Sequence, residues 1–507
     1  MATQDELATG PNLSTAQRAD AVQFSLASAH DQNAGGIVSF DGLTDPDNPL
    51  NWTRRKKWTM TILCGMTTVG TTWASSIFST GANSVHHEFG IGLEVAELGL
   101  TLFMIGLGTG PVLFAPLSEL YGRRIAILPA FFVSACFAFA TATAKDAQTI
   151  FISRFFCGFC GSAPVAVTAG ILSDIWIPKE RGKAMTIYAM AVITGPLVAP
   201  VVGGAFVTAE GLGWRWTEYI TGILISCILV ADVLFLDESY APILLSRKAR
   251  LMRVRGSWAV HSKHEEWEFS IRELTSRYLL RPLMLISLEP ICFLMCLYAS
   301  FVFGMIYMTF PAFPIVFQGA SFSQHVLRGW SPVVGSLPFL AVLIGATLGS
   351  ALNLLNQRHF VKVLQQNKGR PVPEARLPPM MIGAPLFATG LFIFGWTSKT
   401  NVHWFPSIFG TVLVGFGYAT IFQAALNYLV DTYQEFAASA VAANTFSRCM
   451  LAGAFPLTAH PLFASLHIDW ALSLLGFVAV GLVPIPFLFY FFGKQIRARG
   501  KWSKASI

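Results

Sequence analysis

Apolar runs of bilayer length recur along this chain, separated by short polar segments. Twelve stand out, near 58–80, 95–117, 125–144, 148–171, 184–207 and 216–236, then 283–308, 330–354, 380–398, 405–429, 437–460 and 468–492. Each is about 20 residues long, the length an α-helix needs to cross a hydrocarbon core. Their apolar residues do not alternate with polar ones, which excludes the period-two pattern of a membrane β-barrel. In hydrocarbon only helices and closed barrels satisfy every backbone N–H and C=O. The pattern therefore predicts an all-α polytopic membrane protein with twelve transmembrane helices.

The spacing of the runs divides the chain. A polar N-terminal tail, 1–57, is rich in Asp, Asn, Gly and Ser and is expected to be disordered and cytoplasmic. It has no apolar core near its start, so no cleavable signal peptide is expected. Six spans follow over 58–236, then a cytoplasmic linker over 237–282, six more spans over 283–492, and a short tail, 493–507.

Composition agrees with that division. Apolar residues make up 53% of the chain and charged residues 12%, about half the charge of a soluble domain. The basic residues sort to one side. Arg54, Arg55, Lys56 and Lys57 precede the first span; Arg123 and Arg124 lie in loop 2–3, and Lys179, Arg181 and Lys183 in loop 4–5. Arg247, Lys248, Arg250, Arg253 and Arg255 lie in the linker, and Arg358, Lys362, Lys368, Arg370 and Arg376 in loop 8–9. Lys494, Arg497, Arg499, Lys501 and Lys504 follow the last span. The other side carries little beyond Lys145, Arg215, Arg328 and Lys399. Lys and Arg mark cytoplasmic loops, so both termini are expected in the cytoplasm. The net charge of +7 is this asymmetry rather than a nucleic-acid surface. The sequons at Asn12 and Asn51 fall in the cytoplasmic tail, where glycosylation is not expected.

All eight cysteines, Cys64, Cys136, Cys157, Cys160, Cys227, Cys292, Cys296 and Cys449, fall in predicted spans, so no disulfide framework is expected. Cys157 and Cys160 form a CxxC that reads either as a redox or metal pair or as small residues packing at helical spacing. There is no Walker A motif, nucleophile elbow or HExxH, so the chain reads as neither an ATPase nor an enzyme. No cofactor is expected beyond a proton gradient as energy source.

Three motifs carry chemistry. Loop 2–3 reads APLSELYGRR (115–124), with Glu119 at a helix end, Gly122 at the turn, then Arg123 and Arg124. A carboxylate here can meet a helix N-terminus and an arginine; alternatively the arginines only mark topology. Span five holds GPLVAPVVGG (195–204), where Gly195, Pro196, Gly203 and Gly204 permit close approach and bending. Span four holds Arg154, followed by Gly158 and Gly161. A buried arginine is costly and hence a functional candidate, unless it only hydrogen-bonds backbone carbonyls or snorkels to the interface.

With these motifs, the stretches NPLNW (48–52), WRWTEYI (214–220), DESYAPILLSRKA (237–249), PEARLPPMMIGAP (373–385), FQAALNYLVDTY (422–433) and AASAVAANTFSR (437–448) make the chain, over about 45–500, resemble the major facilitator superfamily, in its fungal twelve-span drug:proton antiporter branch. The resemblance implies two pseudo-symmetric six-helix bundles around a central cavity, working by alternating access. It implies proton coupling and gating by Arg154, Glu119, Gly122, Arg123, Arg124, Asp174 and Arg448, with Glu119 and Arg123 latching the halves together on the cytoplasmic side. The chain departs from the family's pattern in four places. STGA (79–82) replaces an APG-like turn, Glu119 stands where Asp is common, and Ala199 stands where Gly is common. Loop 8–9 has Asn353 and Asn356 near the place of the repeated acid.

Intramembrane charge is sparse: Arg154, Arg448, Glu289 and Asp232, with Glu97 and Asp431 near span ends. Asp232 and Glu289 also lie close to span ends, so a polycation would find too few carboxylates to replace its water. Gln423, Asn427, Tyr428 and Asn444 are the polar cavity candidates, with Phe416, Tyr418 and Phe422 as aromatic surface. Gln423 and Asn427 share a helix face and either line the cavity or join helices. A mostly apolar cavity suits a neutral or weakly charged amphiphile. The reading is a monomeric, proton-coupled exporter of drugs, toxins or secondary metabolites, in the plasma or vacuolar membrane. The alternatives are a nutrient, polyamine or organic-acid transporter of the same fold and a non-transporting sensor. The predicted topology is testable with an impermeant thiol reagent on intact cells, in a background without interfering cysteines. Cysteine at position 248 should stay unlabelled and cysteine at position 145 should react; the reverse pattern would invert the topology.

Overall fold

The computed structural model describes residues 37–42, 44–254, 260–266, 280–318, 328–367, 372–399, 401–500, 502 and 503. The expectations for most of the N-terminal tail, and for Asn12, Arg255, Lys368, Arg370, Lys501 and Lys504, fall outside these residues.

Among the described residues the secondary structure is helical, with one isolated bridge between Ile37 and His261. The spans are α1 (Arg54–Ile77), α2 (Leu93–Leu120), α3 (Arg123–Ala142), α4 (Ala147–Ile175), α5 (Pro178–Thr208) and α6 (Arg215–Phe235). The second set is α7 (Pro290–Gln318), α8 (Pro332–Gln366), α9 (Pro378–Thr397) and α10 (Trp404–Thr432). The stretch Ala437–Leu482 then turns at His467, whose φ of 56° and ψ of 168° are not helical. That turn separates α11 (437–466) from α12, which starts at 468 and continues through Pro484–Arg499.

Length and apolarity alone mark ten membrane-crossing stretches among the described residues, one of which, Ser439–Ala498, contains both α11 and α12. The remaining span, α1, is rich in hydroxyls: Thr61, Thr67, Thr68, Thr71, Thr72, Ser75 and Ser76 are all buried. All seven close onto their own helix, among them Thr61 to the Lys57 carbonyl, Thr67 to Leu63, Thr68 to Cys64 and Thr72 to Thr68, at 2.8–2.9 Å. A hydroxyl satisfied this way needs no water, so the helix crosses hydrocarbon despite its low apolarity.

The seventh span starts later than the 283–308 expected. A short helix, Arg281–Leu288, ends at Glu289 (φ −108°, ψ 107°), and α7 begins at Pro290. Proline holds the residue before it extended and supplies no N–H, which makes the break. The Glu289 carboxylate ties this corner down, accepting from the Trp502 N–H (2.8 Å), the Ser503 hydroxyl (3.1 Å) and the Tyr433 hydroxyl (3.2 Å). The described part of 1–57 makes defined contacts where disorder was expected. The Val38 N–H donates to the His261 carbonyl (2.9 Å), and Lys248 of the linker helix Ala241–Val254 meets Asp41 and Asp45 at 2.7 and 3.3 Å.

Helix packing repeats with an offset of six. In the first half α1 packs on α5, α2 on α4, α3 on α4 and α3 on α6; in the second, α7 packs on α11, α8 on α10, α9 on α10 and α9 on α12. Between the halves α2 meets α11 and α5 meets α8, which the same offset interchanges. Small residues set the closest approaches. A Cβ on Gly158 of α4 would stand 2.9 Å from the Phe103 carbonyl carbon of α2, and one on Gly415 of α10 would stand 2.8 Å from that of Val342 on α8. Large apolar side chains such as Phe132, Val230, Leu234, Ile344 and Phe477 lie exposed on the perimeter, where lipid covers them. All eight cysteines are unpaired.

Gly158→Val should therefore force α2 and α4 apart, at a cost of about 1–3 kcal/mol. Fluorescence-detected size exclusion after a heat step should show a lower melting temperature. Gly481→Ala, at a position with open space around it, should leave the melting temperature in place.

Candidate functional site

Polar groups inside the bundle converge on two arginines. Arg154 of α4 is fully buried. Its Nε donates to the Gly99 carbonyl of α2 (3.1 Å), its Nη1 to the Ala74 carbonyl of α1 (2.8 Å) and its Nη2 to the Ser75 carbonyl (3.2 Å). Nη1 also lies 3.4 Å from the Glu218 carboxylate of α6, which is likewise fully buried. The guanidinium faces the Phe78 and Phe103 rings at 4.9 and 4.6 Å. One side chain thus ties four helices, using the backbone carbonyls that the sequence offered as one reading and a carboxylate besides. Glu218 lay in view within WRWTEYI, but nothing in that stretch pointed it at Arg154.

This node reaches the other half through Ser75. The Ser75 hydroxyl lies 2.7 Å from the Tyr307 hydroxyl of α7. One turn away on α7, Phe303 packs against Tyr307 with tilted rings, centroids 5.2 Å apart. Phe303 and Phe422 of α10 each lie 5.0 Å from the Arg448 guanidinium of α11. Tyr418, one turn from Phe422, completes the aromatic wall at 5.9 Å from Phe422 and 6.2 Å from Phe303. Arg448 is 6% exposed and, among the described residues, has no carboxylate within ion-pair distance. Its Nε lacks a partner, as does the Nδ2 of Asn444, one turn earlier on the same helix face.

The other expected cavity residues disperse. Gln423 donates to the Ser350 hydroxyl of α8 (2.7 Å), joining helices within the second half. Tyr428 stacks on Phe489 of α12 at 5.9 Å, away from the first half, and Asn427 is half-buried. Phe416 sets its backbone against Gly349 of α8. On α5, a Cβ on Gly195 would stand 2.9 Å from the Trp73 nitrogen and one on Gly203 3.1 Å from Ile77, both on α1. A Cβ on Gly204 would instead stand 3.0 Å from the Pro332 carbonyl of the other half, and Pro196 lies inside the helix.

At loop 2–3 the turn residue is Gly122, with φ 105°. The next two backbone N–H groups, of Arg123 and Arg124, open α3 and donate to the two oxygens of Glu238 at 2.9 and 3.1 Å. An anion at a helix N-terminus is the expected partner for those donors. A Cβ on Gly122 would stand 2.8 Å from that carboxyl carbon, so sterics and φ both require glycine. The Arg123 side chain reaches Asp174 (3.1 Å) and the Ser118 hydroxyl (2.9 Å), and its guanidinium covers the Tyr240 ring at 4.6 Å. Glu119 is partly buried beside this cluster. The described bonds of Arg123 and Arg124 stay within the first half and the start of the linker. On this face the halves meet through α5 and α8 instead, where Gly182 abuts Gln357 and Arg376 bonds both Gln357 and Asp431. On the opposite face a buried pair, Glu97 of α2 and His460 of α11, joins the halves at 2.9 Å, and the Thr101 hydroxyl donates to the Gly453 carbonyl at 2.8 Å. No cluster of three His, Cys, Asp or Glu that could hold a metal occurs among the described residues, and Cys157 meets Ser134 rather than a metal set.

Known proteins share this organisation. Residues 62–457 match the family described as the Major Facilitator Superfamily. An efflux pump of Gibberella fujikuroi, bik6, is 47% identical, over 93% of this chain and 96% of its own. The Candida albicans multidrug transporter FLU1 is 39% identical, over 92% of this chain and 76% of its own. Among solved structures, the proton:xylose symporter XylE bound to 6-bromo-6-deoxy-D-glucose superposes with a TM-score of 0.61, at 16% identity, over 87% of this chain and 97% of that one. At that identity the likeness is one of fold.

Gly122→Ala and Glu238→Gln should each lower the melting temperature, by the loss of about 1–3 kcal/mol of the same charge-assisted contact. Because both changes disturb one contact, the double variant should lose clearly less than the sum of the singles. Additive losses in a double-mutant cycle would separate the glycine from the carboxylate.

Proposed function

The chain belongs to the major facilitator superfamily and is a multi-pass membrane transporter; from that premise we propose that it exports small amphiphilic compounds (drugs, toxins or secondary metabolites) from the cytoplasm in exchange for protons. The export direction is supported by the names of the relatives, one an efflux pump and one a multidrug transporter. The proposal places the chain in the plasma membrane as a monomer with both termini cytoplasmic, chemically altering none of its substrates and needing no bound cofactor.

The observation that carries the proton coupling is the buried Arg154–Glu218 pair. Guanidinium stays charged at any ordinary pH, so Arg154 does not carry the proton. Glu218 does. Its Oε2 is buried without a hydrogen-bond partner, an open position for a proton. Protonation removes the charge that Arg154 balances and leaves the guanidinium to its α1 carbonyls, those of Ala74 and Ser75. Ser75 in turn makes the α1–α7 contact through Tyr307. The proton on Glu218 thereby biases the contact between the halves, and a two-state fold turns that bias into alternating access.

Efflux from reconstituted vesicles under an imposed pH gradient tests this, with rates normalised to protein. Arg154→Ala should lower gradient-driven efflux at least tenfold. Arg154→Lys keeps charge without the planar fork and should retain part of it. Glu218→Gln should abolish the dependence on the gradient while substrate exchange without a gradient persists. Gradient-driven efflux at the wild-type rate in Arg154→Ala or Glu218→Gln would remove this pair from coupling.

A further inference from the structure

We infer that Arg448 is the substrate's recognition point, and that it selects aromatic compounds carrying an acidic group, a carboxylate or an ionised phenol. The inference rests on the transport reading above and adds to it a substrate class.

Arg154 and Arg448 are unequally paired. Arg154, buried on the other side of the Ser75–Tyr307 contact, has a carboxylate and three carbonyls. Arg448, 6% exposed, has no carboxylate among the described residues, and its Nε is unpartnered. A charge held away from water without a counter-charge is costly, and the cost is removed when an anion arrives. Neutral packing would serve the fold at lower cost, so the unpaired cation stands in for half of a pair.

The surroundings say what the other half looks like. Three helices each present two groups one turn apart: Phe303 and Tyr307 on α7, Tyr418 and Phe422 on α10, and Asn444 and Arg448 on α11. Phe303 and Phe422 flank the guanidinium at 5.0 Å each. Ring faces stabilise the cation and offer flat surface to a planar ring system. The Asn444 Nδ2, buried and unpartnered, is a second donor beside the guanidinium. A planar fork plus an amide fits an oxyanion better than a point cation does. Position agrees with the role: Tyr307 bonds Ser75 of the first half, and Cys449, the residue after Arg448, lies against Gly108 of α2. The cluster therefore sits where the halves meet, the surface that alternating access opens in turn. When an acid is bound the centre is neutral, the state in which moving the halves past it is least costly.

The test uses the purified full-length chain in detergent with radiolabelled 2-naphthoate and its uncharged methyl ester, by equilibrium dialysis. The wild type should bind the acid at least tenfold more tightly than the ester. Arg448→Gln should collapse that preference to nearly one, and Arg448→Lys should keep a substantial part of it. A wild type without the preference, or Arg448→Gln with the preference intact, overturns the inference. The wild-type ratio and the lysine variant decide the matter even if Arg448→Gln does not fold. Vesicle efflux separates the two readings. Preferential binding of the acid without gradient-driven efflux leaves this inference standing and fails the exporter. Gradient-driven efflux of an amphiphile with no acid preference does the opposite.

Discussion

The bilayer core supplies no water, so every polar group in it must find its partner within the chain. Much of the structure follows from that constraint. It explains why α1 crosses with seven buried hydroxyls, all of them closed onto its own carbonyls. It explains why Arg154 donates to three carbonyls on two neighbouring helices as well as to Glu218. An arginine that uses its fork fully in this way is both a fastener of α1, α2, α4 and α6 and a charge whose balance depends on one carboxylate. The fastening of these helices and the proposed coupling role therefore rest on the same bonds.

The same constraint gives meaning to the groups left unsatisfied. Most buried polar atoms of a folded protein are bonded, so exceptions invite an explanation. Here the open Oε2 of Glu218, the Nε of Arg448 and the Nδ2 of Asn444 lie close to one line of contact running from α6 through α1 and α7 to α11. A transporter needs groups whose satisfaction differs between its states, and a line of such groups across the contact between two bundles is a way to link them. The sixfold offset in helix pairing provides the mechanics, since the α2–α11 and α5–α8 contacts exchange under it. Each half can then rock against the other about equivalent surfaces. Gly204 against Pro332 and Gly182 against Gln357 place both ends of α5 in that contact.

The face bearing the termini shows how a local motif acquires a different partner in three dimensions. In expectation the two arginines of APLSELYGRR share one gating network with Glu119 and Asp174. The structure gives their backbone N–H groups to Glu238, more than a hundred residues on, and the Arg123 guanidinium to Asp174. Glu238 stands in DESYAPILLSRKA, so both partners were visible as motifs. Their meeting depends on α6 ending beside the start of α3, which no spacing along the chain discloses.

By itself the sequence determined the twelve helices, their division into two sixes, the polar linker and the family, because runs of apolar residues and the order of short motifs are properties of the chain taken one segment at a time. It located Arg154 and Arg448 as costly charges for the same reason. It missed the break at Glu289, where Pro290 sets the start of α7, and the docking of Asp41 and Asp45 on Lys248. Only the tertiary structure decided which acid meets Arg154, that Gln423 and Tyr428 serve the inside of one bundle, and that Arg448 sits between Phe303 and Phe422 with no counter-charge among the described residues. Hydrophobicity drives a helix into the membrane whichever way its faces point, whereas pairing is fixed by rotation and neighbour, and those are settled when the helices pack.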